Sequence, residues 1–474
     1  MIQVEGSLKA RLAVWLVVTV SALGVLLLVE AYFSSQRAAE RAYDSQLEAA
    51  ALTIAEAVQW EAGQPVVEIP SAALQILATR HQERVFYAVL DADGQTISGN
   101  LNMAIPREWQ RQAALQPTCA WLLGALAPSL AWADNPLIVE AALDREVAAP
   151  LLDAFEAAYP HIQLTFRDRS TLEVDARIAD TNDPPDVVIS SAMPWQMARV
   201  NEGYARRLDS PAAREWPAWA KWRNEVFGFT FEPIVMAYRL DLARHMLPPT
   251  THADLHTLLT QQRGTLRDKV TTYSPVRSGI GYTLFQQDAR YTTRFWDLVA
   301  AMGAADANLE ANTRSMLEGL SEGRYWLGYN LLGSYAMHWA QSHPEVFVQV
   351  PQDYSLVMMR MAFIHRDAPH PAAARAFLDF LLGREGQRVI AGETPLFSVR
   401  SDVVGPYTAQ RLRDQVGERL YPIPLNASLL AFVDPSRRAA FMDRWQREFR
   451  RLSHPAPAPS AAATEPRIDK RAQR

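Results

Sequence analysis

Four short stretches of the chain combine hydroxyl, glycine, aromatic and charged residues in patterns able to hold a polar solute. Ser278, Gly279, Gly281 and Tyr282 follow an expected strand at 269–273 and open an expected helix. Backbone N–H groups at such a turn, backed by the helix dipole, attract a carboxylate or phosphate, and glycine permits close approach. The same pattern also describes a tight turn in which Ser278 caps the helix. Ser190 and Ser191 follow the apolar run that starts at Asp186, and Trp195 comes shortly after, either as a cover for a cleft or as core packing. Tyr329, Asn330, Ser334 and Tyr335 offer hydrogen-bonding groups near the start of another helix, where packing and capping are the alternative. Asp144 and Arg145 end the first strand of an expected α/β unit, where open sheets meet small molecules, although Asp144 also suits an N-cap.

Catalytic constellations are missing from the sequence. It contains no H-E-x-x-H, no P-loop, no G-x-S-x-G and no complete G-x-G-x-x-G, and its ten histidines do not cluster at metal-ligand spacing. The expectation is a binding protein and not an enzyme, with no cofactor and no metal. A net charge of −5 gives no electrostatic case for nucleic acid. The single cysteine, Cys119, excludes an internal disulfide framework and any zinc site built on several thiolates.

The elements that must position these residues alternate. A strand at 137–143 precedes a helix with Val147, Leu151, Leu152, Phe155 and Tyr159 on one face; strands at 161–166 and 186–190 and intervening helices complete a β-α-β-α-β series. A second unit follows the strand-rich passage 227–239: a strand at 269–273, helices at 294–302, 313–322 and 333–341, and a strand at 346–350. The run 355–364 reads as one long apolar strand, and Pro371 starts a helix with Ala374, Phe377, Leu378, Leu381 and Leu382 inward. Trp216, Trp219 and Trp222, three residues apart, read as a packing stripe. The expected fold is α/β with two lobes joined by two long strand passages.

Residues 135–405 resemble type 2 periplasmic solute-binding proteins, the receptors of ABC transporters, and within them the ferric-iron-type cluster. The likeness rests on the order of four stretches: the 144–160 helix ending in Ala-x-Tyr-Pro, Pro185 to Ser191, Tyr273-Ser274-Pro275 through Tyr282, and Gly328-Tyr329-Asn330 through Tyr335 followed by Ala362-Phe363-Ile364 and the Pro371 helix. The resemblance implies a Venus-flytrap fold over 135–435, with one lobe of about 135–230 and 355–435 and another of about 231–354. It also implies capture of one small-molecule solute and a partner permease in the inner membrane. Iron receptors of this cluster use adjacent tyrosines; here no Tyr-Tyr pair occurs, and a small organic or phosphorylated anion is the expected solute.

The leader differs. Residues 12–29 are uncharged, with Lys9 and Arg11 before them, and read as a transmembrane anchor (1–33) that leaves the rest in the periplasm. Residues 34–62 carry helical spacing at Leu47, Ala51, Ile54 and Val58, and 85–98 read as a hairpin turning at Asp91-Ala92-Asp93-Gly94. Region 34–114 resembles, in part, the N-terminal sensor region of tricarboxylate-type two-component histidine kinases. No phosphoacceptor His motif and no Asp-x-Gly-x-Gly lid follow, so self-phosphorylation in that family's manner is excluded. Residues 115–134 form a signal-peptide-like apolar segment ending Ala131-Trp132-Ala133. A gene fusion and a displaced gene start read alike at this seam. A transport receptor and a membrane-tethered receptor reporting to a sensor histidine kinase are the two resulting readings. Residues 436–474 are expected as a basic, solvated helix and a disordered tail.

Overall fold

Val187–Ser190 has four successive buried residues, as a strand covered on both faces requires. In the computed structural model it occupies the middle of a seven-stranded sheet. That sheet runs in the order Ile162–Asp168, Asn135–Ala141, Val187–Ser190, Met361–His365, Val226–Gly228, Lys221–Trp222, with Ala205–Arg206 also paired to Met361–His365. The first three strands are parallel, and Met361–His365 inserts antiparallel beside Val187–Ser190. A second seven-stranded sheet runs Asn308–Glu310, Val270–Tyr273, Leu327–Leu332, Glu232–Arg239, Ser355–Met358, Leu420–Pro422, with Val346–Gln349 paired to Glu232–Arg239. Each sheet is the centre of one lobe. Helix Arg145–Ala158 covers the first through Leu151, Leu152 and Phe155, and Phe155 meets the Phe377 ring of helix Pro371–Leu382 at 5.0 Å.

The structure describes residues 44–61, 64–78, 84–90, 96–100, 135–180 and 182–452, with isolated positions between 15 and 32. Most of the anchor expected at 12–29, the signal-like segment 115–134 and the tail from 453 lie outside them. Among the described residues no helix is long and apolar enough to cross a membrane.

The chain passes between the sheets at 229–231 and again at 359–360. The run expected as one strand, 355–364, is therefore two: Ser355–Met358 pairs in the second sheet and Met361–His365 in the first. The passages are bonded to each other, Phe229 N–H donating to Arg360 O and Arg360 N–H to Thr230 Oγ1, both at 2.9 Å. At Gly228 a Cβ would lie 2.6 Å from Met359 Sδ, so this close approach needs glycine.

Three further differences have physical reasons. The stretch 34–62 is not one helix: helix ends by 56, and Val58–Glu61 pairs antiparallel with Gln64–Val67. Of the expected stripe, Trp216 and Trp222 are buried, but Trp219 is 39% exposed with Arg413 over its ring. The basic C-terminal helix, Pro435–Arg451, is not simply solvated: Phe441 and Trp445, one turn apart, are buried against Trp296 and Phe285 of the second lobe. Before it, the 3-10 turn Ala427–Phe432 is wholly buried.

The N-terminal region adds helix Ser71–Leu77 and the hairpin Ala88–Leu90 with Thr96–Gly99, in register Ala88 to Gly99. The expected turn, 91–94, lies outside the described residues.

Candidate solute-binding cleft

Five strands meet the interlobe gap by their carboxyl ends. Asn135–Ala141 delivers Asp144 and Arg145, and Ile162–Asp168 delivers Asp168, Arg169 and Thr171. From the second lobe Val270–Tyr273 leads to Ser278, Asn308–Glu310 to Thr313 and Arg314, and Leu327–Leu332 to Tyr335. Together with Arg360 from the second interlobe passage these residues line a cavity of about 470 Å³. Ligands of open α/β sheets meet this edge, and the volume suits one small molecule.

Arg360 is the centre of the site. It is 2% exposed, its Nη1 donates to Ala142 O at 2.5 Å, and its guanidinium lies 5.3 Å over the Tyr335 ring. Its Nε is 3.4 Å from Glu232 Oε1, and Ser334 Oγ donates to the other oxygen of that fully buried carboxylate. Burial pushes the Tyr335 phenol up to about 12, so it remains a neutral hydrogen-bonding group. Arg314 pairs across the gap with Asp144 at 3.2 Å and Glu146 at 2.5 Å. Asp144 therefore makes no side-chain cap for its helix, and its carboxylate serves the interlobe pair instead. On the first lobe the buried Glu140 is ringed by Arg169, by Arg167 at 3.1 Å and by Arg177 at 3.5 Å, and Asp183 and Asp180 pair in turn with Arg167 and Arg177, so the cluster is balanced in charge, with Arg169 as its member at the cavity. Asp168 has its pKa raised, first by desolvation and then by the neighbouring Asp144.

Of the residues singled out in the sequence, Asp144, Arg145, Ser278 and Tyr335 line the cavity. Ser278 is also the helix cap, accepting from Gly281 N–H at 3.2 Å. The Gly279 N–H is used across the lobes, donating to Thr171 Oγ1 at 3.2 Å, and an added Cβ there would lie 2.9 Å from Ala192 Cβ. Ser190 Oγ accepts from Ala192 N–H at 3.2 Å, while Ser191 is buried without a partner for its hydroxyl among the described residues. Trp195 and Tyr282 meet edge to face at 5.4 Å behind the cavity, and Tyr282 OH donates to Phe432 O at 2.6 Å. Tyr329 OH and Asn330 Nδ2 each bond the buried Asp288 at 2.7 Å, on the far side of the second sheet's polar network. Tyr329 and Tyr335 thus do not converge, and among the described residues no group of three or more His, Cys, Asp or Glu side chains could hold a metal ion.

Arg360, Arg314, Asp168, Arg169, Thr171 and Thr313 escaped the sequence reading. One signal was present: Arg360 is the lone charge inside the apolar run Ser355–Ile364. A guanidinium there is buried with a partner or aimed at one.

This chain belongs to the bacterial extracellular solute-binding proteins, whose family model matches residues 138–393. A separate model described as two-component sensor kinase N-terminal matches residues 20–118. Among solved structures, the substrate binding protein of an ABC transporter from Agrobacterium tumefaciens is 34% identical, with a TM-score of 0.65, covering 67% of this chain and 94% of that one. The periplasmic binding protein AfuA from Actinobacillus pleuropneumoniae, solved with fructose-6-phosphate bound, is 16% identical with a TM-score of 0.56, covering 66% of this chain and 99% of that one. Apo ferric ion-binding protein A from Pasteurella haemolytica, also 16% identical, has a TM-score of 0.52 over 66% of this chain and 99% of that one. The latter two show the fold alone. A comparison with curated proteins finds no match. The fold is that of a two-lobed periplasmic binding protein, and the family places its working compartment outside the cytoplasm.

Proposed function

We propose that the cleft captures a small organic anion, a carboxylate or phosphate ester, and presents it to an ABC permease. One observation carries this reading: a buried guanidinium, Arg360, stands at the junction of the lobes and lines the cavity beside Tyr335. Arginine's planar fork suits a carboxylate or phosphate at short range. Arg169 at the cavity and the Ser278 helix start support the same sign of charge. Thr171, Thr313 and Tyr335 would supply neutral hydrogen bonds that fix orientation.

Mass spectrometry of solute carried through purification of the full chain tests the proposal, followed by thermal-shift screening with organic acids, sugar phosphates, neutral sugars and Fe(III) at matched ionic strength. Stabilisation by an anion, rising with its concentration, is the expected result. Stabilisation by neutral sugars or Fe(III) and by no anion would overturn the solute class.

A further inference from the structure

The N-terminal segment is seated on the solute-binding lobes through a built interface. Asn201, at the end of helix Met193–Asn201 on the first lobe, bonds residue 85 in both directions: Val85 N–H donates to its Oδ1, and its Nδ2 donates to Val85 O, each at 2.8 Å. Arg84 pairs with Glu225 at 3.3 Å. Tyr87 OH donates to Asp434 Oδ2 at 2.9 Å, and Ser98 Oγ bonds the same oxygen. Arg437 Nη1 donates to Ile69 O at 2.7 Å, and Ser436 Oγ to Ile97 O at 3.0 Å. Val67, Ile69 and Leu74 are fully buried.

What the segment grips touches both lobes. The turn Ala427–Phe432 packs on helix Met193–Asn201 of the first lobe, while Phe432 O accepts from Tyr282 of the second. The Arg438 guanidinium lies 5.5 Å from the Trp195 ring and 5.9 Å from the Tyr282 ring, one from each lobe. The strap 427–438 therefore spans the same seam that Gly279, Thr171 and Ala192 close from the cleft side. Parting the lobes separates the groups on which the strap rests.

We propose that the face formed by Asn201, Glu225 and the strap 427–438 is a docking surface for a sensor-kinase-type N-terminal segment, occupied in this chain by its own residues 64–78, 84–90 and 96–100. Docking and lobe closure are linked: closure strengthens docking, and docking strengthens closure by the same factor. The inference rests on the reading that the two lobes close around a solute, and it names the element that reports the closure.

The test needs no solute. A Cβ built at Gly279 lies 3.6 Å from Thr171 Cβ, within the range of about 3.5–4.5 Å that a disulfide spans. The full chain carrying Thr171→Cys and Gly279→Cys, with Ala192→Gly for room and Cys119→Ser to remove the native thiol, can be locked by oxidation. Hydrogen exchange of amides in 66–78 and 84–90 is expected to slow at least fivefold in the oxidised form relative to the reduced form. Asn201→Ala with Arg84→Glu should abolish the difference. Equal exchange in the two redox states would overturn the linkage. Exchange in 84–90 that Asn201→Ala leaves unchanged would overturn the docking. Should the bond not form, spin labels placed one on each lobe give a second readout, with Asn201→Ala expected to shift the distance distribution toward open. An unmoved distribution sinks the linkage equally. Neither arm contains solute, so failure here leaves the anion reading standing, and failure of anion binding leaves these rates as they are.

Discussion

Arg360 does two things, and they can be separated. It neutralises Glu232 in a buried pair, and it lines the cleft. Arg360→Met should cost stability on the order of 3–5 kcal/mol, because Glu232 is left buried with Ser334 as its remaining partner. Adding Glu232→Gln should restore most of the melting temperature while anion affinity stays at least tenfold down, as calorimetry would show. Recovery of both together would assign Arg360 to structure alone. Asp168 works against an anion. Its raised pKa means that acidification removes this negative charge from the cleft at a higher pH than an ordinary aspartate would require. For a solute of constant charge, affinity should therefore rise as pH falls toward the carboxylate range, and Asp168→Asn should tighten binding at neutral pH and flatten the profile. His365 sets a limit on such experiments. It is 1% exposed, with Nε2 on Ile178 O at 3.0 Å and Nδ1 accepting from Asp367 N–H at 3.1 Å, an arrangement that fits the neutral ring. Burial lowers its pKa, so the unfolded chain takes up the proton more readily. Its contribution is intact above about pH 6.5 and is lost as pH falls below that value. Melting temperature should decline on that limb, and His365→Gln should reduce the slope.

At the level of elements, the lobes meet where a helix start has no side chain. Gly279→Ala should push Ala192 away and hold the lobes apart, lowering solute affinity several-fold with little change in the stability of either lobe. Ala192→Gly in the same chain should return the affinity. Unchanged affinity in the single variant would show that closure does not pass through this contact. The alternating strands and helices of the first lobe were legible in the sequence, because strands such as Val187–Ser190 are continuous apolar runs and helix Arg145–Ala158 carries a clean stripe. The passage between the lobes was not legible: apolar residues flank Arg360 on both sides from Leu356 to Ile364, and only the backbone partners reveal that the run changes sheets at Met359 and Arg360. The C-terminal helix misled through its many arginines, since two aromatic residues one turn apart suffice to bury one side. At the site, positions next to strand ends could be found, as with Asp144 and Tyr335. Whether Tyr329 or Ser334 faced the gap could not be read, because buried carboxylates distant in sequence, Asp288 and Glu232, claim them.

For the whole molecule, two sheets share two bonded passages and a strap, so the lobes are not independent bodies. Denaturant unfolding monitored on the first lobe's Trp222 and on the second lobe's Tyr273 environment should give coincident transitions. Well-separated midpoints would mean that the lobes fold as separate units. The order in which strands enter the first sheet has a further effect, on biosynthesis. Met361 lies beside Ser190, so the central position of that sheet stays empty until most of the polypeptide has left the ribosome. Until then Val187–Ser190 and Val226–Gly228 present open edges, and the nascent chain cannot lock prematurely into its final shape. The last strand to arrive therefore decides when the first sheet can close.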